Sequence, residues 1–237
     1  MKQSIVTFGE LMLRLSPPDH KRIVQTDSFN IQFGGAEANV SVSLSNFNEP
    51  VSYITRLPET EIGKAALSSL AKYNVNTSES VFGGSRIGIY YLEAGASERG
   101  SKVIYDRAYS SMSEIKTGMI DWDRVFSNAK WFHWSGITPA ISQNAADVCK
   151  EAIEAASKHG VMISADINYR KNLWQYGKKV SEVMPELLEG CDVIIGGQGD
   201  TKNVLGIDTD DSVNILHTCK RWQLRFPKLK RIFMSQR

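Results

Sequence analysis

Short β-rich runs and helix-period runs take turns along the first third of the chain. Residues 5–11 read as a strand, 36–47 as a helix, 51–55 as a strand and 62–73 as a helix, the alternation that builds a parallel sheet with crossover helices. The rhythm resumes with a strand at 129–134, a helix at about 142–159, a strand at 161–166, a helix at about 178–188, a strand at 193–195, a helix at 212–222 and a last strand at 231–235. The 142–159 helix has the clearest pattern: Ala145, Val148, Cys149, Ala152, Ile153 and Ala156 fall on one face, and Gly160 supplies the stop. Two segments break the rhythm. Residues 13–33 and 86–107 alternate with period two, as in Ile87, Ile89 and Tyr91, so their strands are expected to form a small sheet added to the main domain as a lid. The whole chain, 1–237, reads as one α/β domain carrying that lid.

Composition narrows the choice of partners. With 237 residues, 28 Lys plus Arg against 26 Asp plus Glu, and a formal charge of +2, the chain has room for one sizeable core. It lacks the field that a nucleic-acid backbone or an anionic membrane would need. The basic residues Arg221, Arg225, Lys228, Lys230 and Arg231 alternate with apolar ones and read as a solvated face. Cys149, Cys191 and Cys219 are far apart and without metal-ligand spacing, which suits a reducing cytoplasm. The first residues enter a strand pattern at once, with no apolar signal core, and no run reaches the ~18 residues of a membrane span. A soluble, cytoplasmic protein with small-molecule partners is the expectation, with no nucleic acid and no membrane.

Three constellations carry the candidate chemistry. Gly34 and Gly35 precede the helix that opens Ala36-Glu37-Ala38-Asn39. The missing Cβ atoms would let backbone approach a ligand, and the helix start offers N–H groups to a polar or anionic one. Asp166-Ile167-Asn168-Tyr169-Arg170 follows a buried-type strand, the place where ligands bind in open α/β sheets. Arg170 suits a carboxylate or phosphate there, although Asp166 and Asn168 also read simply as loop caps. On the lid, Tyr90 joins Tyr105-Asp106-Arg107, and alternation puts Tyr105 and Arg107 on one face, a grip for a polyhydroxylated acid. An aromatic lid is equally an oligomer contact. His133, within Trp131-Phe132-His133-Trp134, reads as a core histidine rather than a base. No Ser-His-Asp arrangement, glycosidase-like acid pair or His-Glu-x-x-His motif is visible.

Phe8-Gly9-Glu10, Gly34-Gly35-Ala36-Glu37-Ala38-Asn39, the Tyr-x-Arg of the lid, Ser135-Gly136-Ile137 and Asp166-x-Asn168-Tyr169-Arg170 together resemble the ribokinase-like (PfkB) carbohydrate kinases, and among them the 2-keto-3-deoxygluconate kinases. The resemblance runs in order over essentially the whole chain. It implies a three-layer α/β/α sandwich with a small β-sheet lid, and ATP-dependent phosphorylation of the 6-hydroxyl of 2-keto-3-deoxy-D-gluconate with Mg2+. It also implies a homo-oligomer joined through the lid. By this similarity Gly34, Gly35, Ala36, Glu37, Ala38, Tyr90, Tyr105, Arg107, Ile137 and Arg170 would hold the sugar acid, and Asn168 with Arg170 would lie where sugar and nucleotide phosphates meet. The family's Gly-Ala-Gly-Asp motif, with its base, is expected beyond Arg237. The C-terminal nucleotide-binding part is thus expected to be missing and this chain alone to be inactive, with an apolar sheet edge bared near Ile232, Phe233 and Met234. Gly197-Gln198-Gly199-Asp200 imitates the motif in letters, but its context matches the family's Asn-Glu-Glu-Asp segment. Asp200 is there the one acid kept, which puts metal handling in doubt. A non-catalytic sugar-acid binder built from the kinase fold, or a kinase for fructose or a nucleoside, are the alternatives.

Overall fold

The computed structural model describes residues 3–206 and 215–235. Its main sheet has six parallel strands in the order β12-β11-β10-β9-β1-β4. In chain order the lettered strands are β1 (Ser4–Phe8), β2 (Met12–Ser16), β3 (Asn30–Gly34), β4 (Val51–Ile54), β5 (Arg56–Leu57), β6 (Val81–Phe82), β7 (Ile89–Glu93), β8 (Lys102–Asp106), β9 (Ala129–Ser135), β10 (Met162–Asp166), β11 (Val193–Gly197) and β12 (Arg231–Ser235). The helices are α1 (Ala36–Asn46), α2 (Glu61–Ala71), α3 (Trp122–Phe126), α4 (Ile137–Ile141), α5 (Gln143–Lys158), α6 (Val180–Glu189), α7 (Gln198–Asn203) and α8 (Ile215–Arg225). The expected helix at 212–222 lies partly outside the described residues.

One face of the sheet is closed by α5 and α6. Ser142 accepts a hydrogen bond from the Ala145 amide (3.1 Å) and starts α5, whose apolar stripe, with Met184, Leu187 and Leu188 of α6, packs on Phe132, Trp134, Ile163 and Ala165. The α5 stop falls at Gly160, whose φ of +67° suits a residue without Cβ. On the other face α1 lies over β1, β4 and β9, tied by a buried Thr7–Ser41 hydroxyl contact of 2.6 Å. The lid is a second, four-stranded sheet in the order β3-β2-β7-β8. Its inner residues Leu13, Leu15, Phe33 and Ile89 pack on α1, β5 and α2 through Ala38, Leu57, Ala66 and Leu70.

The strand expected over 5–11 is two. β1 stops at Phe8, and Gly9-Glu10-Leu11 carry the chain out of the parallel sheet into the lid strand β2. The reason is tertiary: the Glu10 carboxylate is buried against Arg107 and Ser110, which draws the chain sideways where a continuing strand would run on. The β5–β6 pair and the short helices α3 and α4 carry too few residues to show a period. At the far margin β12 is an outer strand with Phe233 55% exposed. Among the described residues no helix is long and apolar enough to cross a membrane.

Candidate functional site

Because all six strands of the main sheet are parallel, their carboxyl ends share one edge, and the three constellations meet that edge at two places. The first is a cleft of about 440 Å³ at the ends of β10, β11 and β12, lined by Asp166, Asn168, Arg170, Gly197, Asp200 and Ser235, among others. Asn168 holds a left-handed backbone (φ +39°), and its amide donates to Asp166 Oδ1 at 3.1 Å. The loop-cap reading of Asp166 and the cleft reading therefore both hold. Arg170 is exposed at the rim. Asp200 Oδ2 accepts from the Gly197 amide at 2.6 Å, a helix-start cap for α7, so this carboxylate is engaged in building the cleft wall.

The second place is the junction of core and lid. Arg107 donates to Glu10, and both are buried; Ser110 donates to the other Glu10 oxygen at 2.5 Å. The Arg107 guanidinium also lies 5.7 Å from the centroid of the Tyr105 ring, and that ring is 6.0 Å from the ring of Tyr90. Tyr90, Tyr105 and Arg107 are thus brought together as the alternation implied. Arg170 lines the cleft, and Tyr90, Tyr105 and Arg107 are not part of that lining.

The glycine pair has an internal explanation. A methyl group on Gly35 would sit 2.2 Å from the Glu10 carbonyl oxygen, and one on Gly34 would sit 3.1 Å from the Tyr90 hydroxyl. The bare backbone lets the lid strands and the Glu10 turn close on the start of α1. Of the next residues, Ala36 is half-buried, whereas Glu37 and Ala38 are buried. Glu37 is 1% exposed. Its Oε1 accepts from Ser135 Oγ at 2.6 Å and from Thr138 Oγ1 at 3.4 Å, while Oε2 lacks a hydrogen bond. Burial outweighs those contacts and raises its pKa from 4.5 to about 7. Ile137 is half-buried, and its amide donates to Ser135 Oγ at 3.3 Å. His133 is buried in β9 beside Ser164 (2.9 Å), and desolvation lowers its pKa to about 4, in keeping with a core histidine.

What the residue pattern missed is the acid partner of Arg107. Glu10 stands alone between Phe8-Gly9 and Leu11-Met12-Leu13, and an isolated acid inside an apolar stretch was the available signal, since such a group stays buried only with a partner.

The model of the pfkB family of carbohydrate kinases matches residues 2–223. The chain belongs to that family. A 2-dehydro-3-deoxygalactonokinase of Haloferax volcanii is 32% identical over 210 residues, covering 89% of this pfkB-family chain and 65% of the relative. A 5-dehydro-2-deoxygluconokinase of Clostridium perfringens is 25% identical over 224 residues, covering 93% of the chain and 65% of the relative. The chain thus spans just under two thirds of the length of these curated relatives. The crystal structure of a 2-dehydro-3-deoxygluconokinase from Thermotoga maritima matches with a TM-score of 0.91 and 42% identity, covering 98% of this chain and 72% of that one. The ribokinase-like α/β fold expected from the motifs is the fold found.

Two groups implied by the family can be tested against these side chains. For a nucleotide phosphate, the cleft offers the side-chain donors of Arg170 and Asn168, which suit an anion, beside a wall kept free of side chains by Gly196, Gly197 and Gly199. Among the described residues no group of three His, Cys, Asp or Glu could cage a metal ion. Mg2+ needs no such cage, because it binds through one or two carboxylates and the substrate's phosphates. Asp166 and Asp200 line one cleft and fit that requirement.

Proposed function

We propose that the chain forms the sugar-acid side of an ATP-dependent kinase that phosphorylates 2-keto-3-deoxy-D-gluconate at its 6-hydroxyl, with Mg2+ as the second cofactor. The supporting observation is the likeness, at 42% identity and a TM-score of 0.91, to a structure described as a 2-dehydro-3-deoxygluconokinase. The chemistry agrees: the lid presents tyrosine hydroxyls and guanidinium groups to a ligand with one carboxylate and several hydroxyls. Bound ATP supplies the phosphoryl group and Mg2+ neutralises its charge; this chain's residues position and shield. Arg170 and Asn168 orient the phosphates, Asp166 and Asp200 face the cation, and Tyr90, Tyr105 and Arg107 hold the acceptor under the lid, where water is excluded. Gly34, Gly35, Ala36 and Ile137 contribute backbone to the sugar side.

The same reading includes a homo-oligomer assembled through the lid, supported by the exposed Val103, Ile104 and Tyr105, and a cytoplasmic setting, supported by buried thiols at Cys149 and Cys191. A second reading, sugar-acid binding without phosphoryl transfer, is favoured by Asp200, whose Oδ2 is held by the Gly197 amide. Calorimetric titration with 2-keto-3-deoxygluconate, its galactonate epimer, fructose and adenosine tests the substrate class. A coupled ATP-consumption assay separates kinase from binder. Saturable heat for the gluconate acid alone supports the proposal, and heat for fructose or adenosine with none for either acid overturns it.

A further inference from the structure

The lid's strand register sets four side chains in one row. Gln32 of β3 pairs with Arg14 of β2, Arg14 with Tyr90 of β7, and Tyr90 with Tyr105 of β8. Residues opposite one another on neighbouring strands share a face. This is the face away from the Leu13, Leu15, Phe33 and Ile89 contacts. Gly34, the last residue of β3, borders this face: a methyl there would lie 3.1 Å from the Tyr90 hydroxyl.

The charges around that face are settled in pairs, with one exception. Arg107 is bound to Glu10, Arg86 to Asp106 at 2.8 Å, and Arg99 lies 3.6 Å from Glu93. Arg14 is half-buried, and its Nε is shut off from solvent without a hydrogen bond. Its guanidinium has no ion pair to a described residue. Two residues along on the same strand face, the Ser16 hydroxyl is also buried and unpartnered. A partly desolvated guanidinium with idle donors is costly unless something anionic completes it, and a planar fork of N–H groups matches a carboxylate.

We propose that Arg14, flanked by Tyr90 on the substrate face of the lid, receives the carboxylate of the sugar acid and so determines selectivity for acids over neutral sugars. The inference rests on the proposed function and deepens it. Glu10 already neutralises Arg107, so Arg107 and Glu10 together bring no net charge to the incoming anion. Arg14 does.

The test titrates the whole chain, wild type and variants, with 2-keto-3-deoxygluconate and with its uncharged C1 carboxamide. Arg14→Gln is expected to weaken binding of the acid by about tenfold or more, the worth of a charge-assisted hydrogen bond, and to change carboxamide binding less than about twofold. Arg14→Lys, which keeps the charge without the fork, is expected to fall between them. Thermal melts of both variants establish that they are folded, and a half-buried lid position should leave them so. Acid binding by Arg14→Gln within about twofold of wild type overturns the assignment, as does equal wild-type affinity for acid and carboxamide. Wild type that binds neither ligand overturns the functional reading itself, an outcome distinct from the other two.

Discussion

Glu37 shows how little a residue's position in a motif says about the job its side chain does. It opens the helix of the glycine motif, where an acid suits the helix N-terminus, yet its carboxyl points inward and joins α1 to the end of β9 through Ser135 and to α4 through Thr138. Its pKa in the folded protein is about 7, against 4.5 as the ordinary value, so between those two pH values the folded state holds the proton and the unfolded chain does not. Stability from this group is therefore full below about pH 4.5 and is lost as pH rises to about 7. The loss amounts to roughly 3 kcal/mol, taking 1.36 kcal/mol per unit. His133 works in the opposite sense: buried neutral with a pKa of about 4, it makes the protein more stable as pH rises toward the ordinary histidine range. Urea midpoints of wild type and Glu37→Gln at each pH cancel the histidine contribution. The variant, a neutral isostere, is expected to gain on wild type steadily from about pH 4.5 to 7; parallel curves would sink the argument.

At the scale of elements, the link between lid and core is an ion pair made across 97 residues of sequence. Burying Glu10 and Arg107 together costs desolvation on both sides, but removing one partner leaves a lone buried charge, which costs about 3–5 kcal/mol. Arg107→Met is accordingly expected to lower the urea midpoint sharply, and the double variant Glu10→Gln with Arg107→Met to recover most of the loss. A double variant no more stable than the single one would show that packing, not charge, holds the junction. Local patterns in the chain make the helices legible: α5 is bounded by Ser142 and Gly160 and striped by alanines, valine and isoleucine, so periodicity alone finds it. The lid strands are legible for the same reason. The turn at Gly9-Glu10 is not, because the force that ends β1 comes from Arg107 and Ser110, in the segment after β8 far along the chain. Which groups meet at the cleft is likewise a matter of which strand ends lie next to each other in the sheet. The order β12-β11-β10-β9-β1-β4 puts Asp166 beside Gly197 and leaves Glu10 two strands away, and no spacing in the sequence states that order.

Taken as a whole, the molecule is unevenly protected. The sheet face under α5 and α6 is closed, with Phe132, Trp134 and Ile163 fully buried. The opposite face beyond α1 carries an apolar groove lined by Val40, Leu44, Trp131 and Ile195, among others. Among the described residues β12 ends the sheet as an outer strand with one row of backbone groups unpaired in the sheet, and Phe233 is 55% exposed. An exposed outer strand with an aromatic side chain is a template for pairing with another chain, and natural proteins guard such edges with charge, lysine above all. Arg231 is the one charged residue within β12, at its start. The expected behaviour of this polypeptide is concentration-dependent self-association through β12. Phe233→Lys is expected to suppress it while leaving the melting temperature nearly unchanged, because an exposed aromatic contributes little to the fold it belongs to. Light scattering of wild type and variant over a concentration series measures the effect. Equal scattering from the two would move the sticky surface elsewhere, to the lid's exposed Val103 and Ile104, and Val103→Lys would then be the variant that restores a monodisperse solution.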